Sequence, residues 1–209
     1  MGNTASTKEP YTYQQYQQNQ SDERMEIIDG EVYAMSPSPS VKHQKIVLAF
    51  GNIMYGFFKG KECTPFIAPM DVVLDDINVV EPDVFVVCDR SKITEANIKG
   101  APDLIVEVLS PSTSLKDRRE KKWLYGQHGV KEYIIVSPMD ETAERFFLKP
   151  DGTYGESDIF GWHESFAPRI FPDLIFELRI VFEKEAAEVV AESDPPDWIA
   201  KKLKQSGVL

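Results

Sequence analysis

APDLIVEVLSPSTSLKDRREKKWLY, residues 101–125, changes character at Pro111. Before it, Leu104, Ile105, Val106, Val108 and Leu109 have the composition of a central strand buried on both faces, and Glu107 interrupts the run. An ionised carboxylate in that setting is costly unless it is paired or bound to a metal. Pro111 donates no N–H and biases Ser110 away from helical dihedrals, which ends the strand. Ser112, Thr113 and Ser114 are each suited to cap a helix beginning just after them. In that helix Asp117, Lys121 and Tyr125 recur at four-residue spacing and so share one face. The pattern predicts a strand-end carboxylate and a helix that returns a lysine over the same point.

Upstream, residues 26–33, EIIDGEVY, read as a hairpin with Asp29-Gly30 as its tight turn. Residues 11–19 read as a short surface helix or loop, and residues 21–26 as one or two helical turns behind a cap-like Ser or Asp. Glu26 is either a solvated surface acid or a site residue. Residues 41–58 carry Ile46, Val47, Phe50, Ile53, Met54, Phe57 and Phe58 at helical spacing. His43 lies in the first turn of that helix, in a structural role or pointing into a neighbouring cleft. Residues 64–74 and 78–89 read as strands with internal prolines, a mark of edges, bulges or strand starts, so Asp83 is expected at a sheet irregularity directly after Pro82.

Downstream, Gly126, His128 and Gly129 stop the helix. Residues 130–136 form a further strand, 143–148 a hairpin arm before the Asp151-Gly152 turn, and 160–166 and 174–182 two late strand-like segments. Residues 183–192 read as an amphipathic helix and 198–203 as a last short one. The expected organisation is a flexible leader over 1–10, one main domain over 11–182 and a C-terminal helical extension over 183–209.

The chain has 209 residues, 42% of them hydrophobic, enough for one sizeable core. With 23 Lys and Arg against 34 Asp and Glu, the net charge of −11 argues against an extended surface for nonspecific polyanion binding. It leaves room for a nucleic-acid enzyme, because divalent cations neutralise carboxylate sites. Cys63 and Cys88 lack CxxC spacing, so neither a disulfide scaffold nor a zinc site is expected, and a reducing cytoplasm fits. No apolar stretch has the length of a membrane span.

Asp83, Glu107 and Lys121 form the constellation with chemistry in it. Two carboxylates on neighbouring strands offer hard oxygen ligands to Mg2+, with Mn2+ as a substitute. Such an ion activates water and polarises a phosphate, and a lysine adds a compact positive charge beside it. The structural alternative has Asp83 as a turn acid, Glu107 in an ion pair and Lys121 on a solvated helix.

Further segments add to these. EIIDGE at 26–31, MSPSP at 35–39 followed by His43-Gln44, EPDV at 81–84, PDLIVEVLSPST at 102–113, DRREKK at 117–122 and YGQHGVKEY at 125–133 together resemble the Uma2 family (DUF820) of the restriction-endonuclease-like, or PD-(D/E)xK, nuclease superfamily. The resemblance runs from about Tyr11 to Phe182. It implies an α/β fold, a restriction-endonuclease-like mixed β-sheet flanked by helices. It also implies a Mg2+-dependent endonuclease acting on DNA, with Asp83 and Glu107 as the acids and metal ligands. The common pattern puts a lysine two residues after the second acid, where this chain has Leu109, and the resemblance makes Lys121 the migrated lysine. Glu26 and His43 enter as accessory residues, Glu26 to extend metal coordination or orient water and His43 to contact phosphate or position Glu26. Asp117 and Tyr125 are expected to orient Lys121. A homodimer suits paired strand cuts. The competing reading is a catalytically weak or inactive nuclease-like protein that binds nucleic acid or another protein, motivated by the negative charge and Leu109.

Overall fold

The computed structural model describes residues 9–19, 24–35 and 38–184. In chain order the elements are α1 (Tyr13–Gln18), β1 (Met25–Ile28), β2 (Glu31–Ala34), α2 (Val41–Phe58), β3 (Thr64–Ile67), β4 (Val72–Asp75), β5 (Asn78–Val80) and β6 (Val84–Val87). A 3-10 turn at Arg90–Lys92 leads to β7 (Ile98–Lys99) and β8 (Leu104–Val108). The helical stretch after β8 consists of α3 (Ser114–Lys116), a π turn (Asp117–Lys121) and α4 (Lys122–Gln127). Last come β9 (Glu132–Ser137), β10 (Thr142–Phe147), β11 (Asp158–Gly161), β12 (Ser165–Phe166), β13 (Phe176–Glu177) and α5 (Leu178–Val181).

The main sheet has six strands in the order β11-β10-β9-β8-β6-β3. β8 and β9 run parallel and the other neighbours antiparallel, so the sheet is mixed, and the helical stretch 114–127 is the crossover that a parallel pair requires. A second sheet of five strands has the order β2-β1-β5-β4-β7. Strand periodicity divides the core. Leu104, Val106 and Val108 face α2, where they meet Ile46, Phe50 and Met54. Ile105 and its neighbours Phe85, Val87, Tyr133 and Ile135 face the other way, toward Tyr125 of α4 and Ile28, Val72 and Val80 of the second sheet. Tyr11, Tyr13 and Tyr16 cover the outer side of that second sheet at Ile27, Val73 and Val79.

α2 has the predicted bounds because Ser40 caps it, accepting a hydrogen bond from the His43 N–H at 3.2 Å, and because its apolar period is unbroken. Asp29 and Gly30 both have positive φ, 53° and 73°, as a two-residue hairpin turn demands.

Other expectations are corrected. Of the turns expected over 21–26, residues 21–23 lie outside the described residues, and Met25 and Glu26 are strand rather than helix, because Glu26 pairs with Tyr33 and Ile27 and Ile28 are buried. Residues 64–74 split into β3 and β4 at a turn containing a cis Ala68–Pro69 peptide, and residues 78–89 split into β5 and β6 at Pro82. Only Phe176 and Glu177 of residues 174–182 are strand. Leu178–Val181 form the short helix α5, and Leu178 and Val181, with Leu174 before the strand and Phe182 after the helix, bury in the cluster that includes α2. Cys63 and Cys88 are joined in a disulfide, since they lie one step beyond the Thr64↔Val87 pair of β3 and β6, with Cα atoms 3.9 Å apart. Cysteine usage therefore no longer argues for a reducing compartment. The leader over 1–8, and the helices expected over 183–192 and 198–203 from residue 185 onward, lie outside the described residues. Among the described residues no helix is long and apolar enough to cross a membrane.

Candidate active site

The β6–β8 register pairs Val84 with Val106, and one step further sets Asp83 opposite Glu107. Pro82 has no N–H to extend the ladder, so side chains take over: Asp83 N donates to Glu107 Oε2 at 3.3 Å, and Val108 N donates to Asp83 Oδ2 at 2.8 Å. His43, at the start of α2, brings Nε2 to 3.3 Å from the same Asp83 Oδ2. These groups lie in a cleft of about 1030 Å³ whose wall also includes Glu26, Lys116, Asp117, Lys121 and the 110–114 loop.

Glu107 is 3% exposed, and the helical stretch supplies its partners. Lys121 Nζ lies 2.9 Å from Glu107 Oε1, and Tyr125 OH donates to that oxygen at 2.7 Å. Lys121 also meets Glu26 Oε1 at 2.7 Å and stands 3.8 Å from Asp117 Oδ1. Asp117, Lys121 and Tyr125 are all buried, as one shared face requires. Tyr125 holds Glu107, however, rather than orienting Lys121.

Glu26 is neither a surface acid nor free. Its Oε1 accepts the Glu81 N–H at 3.2 Å as well as Lys121, and its Oε2 meets Lys116 Nζ at 2.5 Å. His43 touches Asp83 and not Glu26. Reasoning from sequence also passed over Lys116. Residues 116 and 121 fall on different faces of a regular α-helix, but the π turn between them has i→i+5 geometry and brings both ammonium groups to one carboxylate. Arg24 and buried Glu81, ion-paired at the cleft wall, were missed too; the only signal was Glu81 in EPDV.

Four acids crowd two lysines here, and this sets their proton affinities. Burial pushes the Glu107 carboxyl up to about 8, against the pull of Lys121 and with help from Asp83, Asp117 and Glu26. Burial likewise raises Asp117. For Glu26, burial works toward protonation, but Lys121 and Lys116 overcome it and hold the carboxyl below its ordinary value. Burial disfavours the Lys121 charge, yet Glu107, Glu26 and Asp117 raise its pKa well above the usual lysine value. Burial also works against a charged His43, but its bond to Asp83 and the Asp83 charge raise its pKa. The arrangement presents fixed positive charge and hard oxygen donors side by side on the floor of an open cleft, a combination suited to a phosphate ester.

The family model named Uma2, described as "Putative restriction endonuclease", matches residues 10–180. The uncharacterized protein slr1290 of Synechocystis sp. is 30% identical over 149 residues, spanning 69% of this chain and 76% of that protein. A crystal structure described as a putative nuclease belonging to DUF820, from Anabaena variabilis, has the same fold, with a TM-score of 0.69 at 18% sequence identity. It covers 83% of this chain and 98% of that one. A family match across most of the chain, spanning the strand, turn and helix that build this cleft, places the protein in the Uma2 family.

Proposed function

We propose that the protein is a Mg2+-dependent endonuclease that hydrolyses phosphodiester bonds in DNA. The observation that carries this reading is the adjacent Asp83–Glu107 pair at the floor of a cleft, with a buried lysine on Glu107. Asp83 Oδ1 has no hydrogen bond among the described residues, and Glu107 Oε2 receives only the 3.3 Å contact from Asp83 N. Those two oxygens fit a hard divalent cation, Mg2+ or Mn2+. Mg2+ keeps several waters and is often held by one or two carboxylates, so it does not need the cluster of three or more ligating side chains that is absent among the described residues. When bound, such an ion supplies Lewis acidity at the phosphate and lowers the pKa of water.

The chain's own groups do the rest. Lys121 stays protonated, so it stabilises negative charge developing around phosphorus and does not act as the base. Tyr125 and Lys121 together fix the Glu107 carboxylate, and His43 and Val108 N fix Asp83. Paired sites in a homodimer suit cuts in both strands, and light scattering over a range of concentrations tests for that dimer.

Incubating plasmid, linear duplex, single-stranded DNA and RNA with the protein and Mg2+ or Mn2+ tests the reading. Cleavage of DNA that is lost in Asp83→Ala, Glu107→Ala and Lys121→Ala is the expected result, and undiminished cleavage by those purified variants sinks it. One observation favours a second reading, a catalytically weak or inactive nuclease-like binding protein: Lys121 and Tyr125 already occupy Glu107 Oε1. Binding by wild type and Asp83→Ala without turnover on any substrate selects it.

A further inference from the structure

We propose that Lys116, rather than Lys121, is the lysine that grips the nucleic-acid backbone in this cleft. The inference rests on the nucleic-acid reading of the cleft. Lys121 has three ammonium donors and three carboxylates around it, Glu26 at 2.7 Å, Glu107 at 2.9 Å and Asp117 at 3.8 Å, and its side chain is 5% exposed. It is a fixed charge beneath the floor, held by close contacts to Glu26 and Glu107 and by the charge of Asp117. Among the described residues Lys116 has one hydrogen-bond partner, Glu26 Oε2 at 2.5 Å, and its side chain is 15% exposed at the cleft wall. An ammonium group has three donors, so two are left for a ligand. The Tyr33 ring, 5.4 Å from its Nζ, supports the charge on one side without using a donor.

The charge balance points the same way. Lys121 is flanked by Glu107 and Asp117 as well as Glu26, whereas Lys116 meets Glu26 alone among the described residues, so Lys116 is the less neutralised and the more exposed of the two lysines. A phosphate oxygen is the group that satisfies a compact, partly desolvated ammonium with spare donors. Lys116 contacts a non-bridging oxygen of the backbone while Glu26, gripping both lysines, keeps it in register with the buried one. Lys116 is thus a binding residue and Lys121 an electrostatic one.

Fluorescence anisotropy of labelled single-stranded and duplex DNA tests this, with the full chain in Ca2+ in place of Mg2+ and at several salt concentrations. Each phosphate contact contributes about 0.7 to the slope of log affinity against log salt for single strands and about 0.9 for duplex. Lys116→Met is expected to flatten the slope by that amount, whereas Lys116→Arg and the distant Arg179→Met retain it. Lys116→Gln, which keeps a donor for Glu26 but no charge, should flatten it equally and serves where the Met variant is misfolded by circular dichroism. An unchanged slope in the Met and Gln variants, even with weaker binding, means that Lys116 only props Glu26 and overturns the proposal while nucleic-acid binding stands. Wild type that binds neither DNA at low salt overturns both.

Discussion

Lys121 is held by acids from three parts of the chain, and that fixes what its loss should do. Among the described residues, Lys121→Met leaves Glu26 without one of its two cations and Glu107 without its only one, each carboxylate being almost fully buried. Breaking a buried pair from one side destabilises by about 3 to 5 kcal/mol. Tyr125→Phe removes only a hydrogen bond to Glu107 Oε1, a loss of about 1.5 to 3 kcal/mol. Urea unfolding of both variants checks the order, and a Lys121→Met protein as stable as wild type contradicts the burial of this ion pair. At this scale the sequence was partly readable. Four-residue spacing put Asp117, Lys121 and Tyr125 on one face, and Pro82 marked Asp83. Lys116 was not readable because nothing in DRREK announces a π turn, and the burial of Glu26 depends on packing against residues far along the chain.

At the scale of elements, the β1–β2 hairpin decides where Glu26 sits. Its Gly30 has φ of 73°, and a Cβ there would collide with Pro10 Cβ and lie 2.8 Å from Pro10 Cα. The left-handed conformation alone disfavours a side chain by about 1 to 2 kcal/mol, and the contact with Pro10 backbone adds to it. Gly30→Ala is therefore expected to lower the melting temperature and, with it, the proposed DNA cleavage, through displaced β1. A variant with the wild-type melting curve shows that the turn tolerates a side chain. The hairpin and α2 were legible because their signals are local: Asp-Gly between apolar runs, and a helical period behind a serine cap. Of residues 174–182, the strand reading holds at Phe176–Glu177 and fails at Leu178–Val181, because an apolar stretch rich in Leu, Ile and Phe suits either period until a neighbour selects one, and α2 selects a helical turn there.

For the molecule as a whole, the second buried acid of the sheet gives stability a pH dependence. Glu132 of β9 accepts the Arg169 and Ile170 N–H groups, each at 3.2 Å, and so ties the 169–170 turn to the main sheet. Burial pushes its carboxyl from 4.5 up to about 7 despite those bonds. The folded state thus holds this proton where the unfolded chain has released it. The contribution is fully present below about 4.5 and is lost as the pH rises through about 7. Glu132→Gln has no such proton, and its melting temperatures across that window should fall less steeply with pH than those of wild type; an identical slope refutes the assignment. Neither this tie nor the Cys63–Cys88 link was legible in the sequence, since both depend on which strands become neighbours. The fold class and the cleft's central acids were legible because one strand, turn and helix carry most of both. The Glu26–Lys116 pair spans 90 residues of chain, whereas Glu107 and Lys121 are 14 apart. During synthesis Glu26, His43 and Asp83 leave the ribosome first and wait, and the cleft closes only when the β8–β9 crossover arrives. A nascent chain that stops short of it carries the acids without their lysines, and so has only the negative half of the cleft.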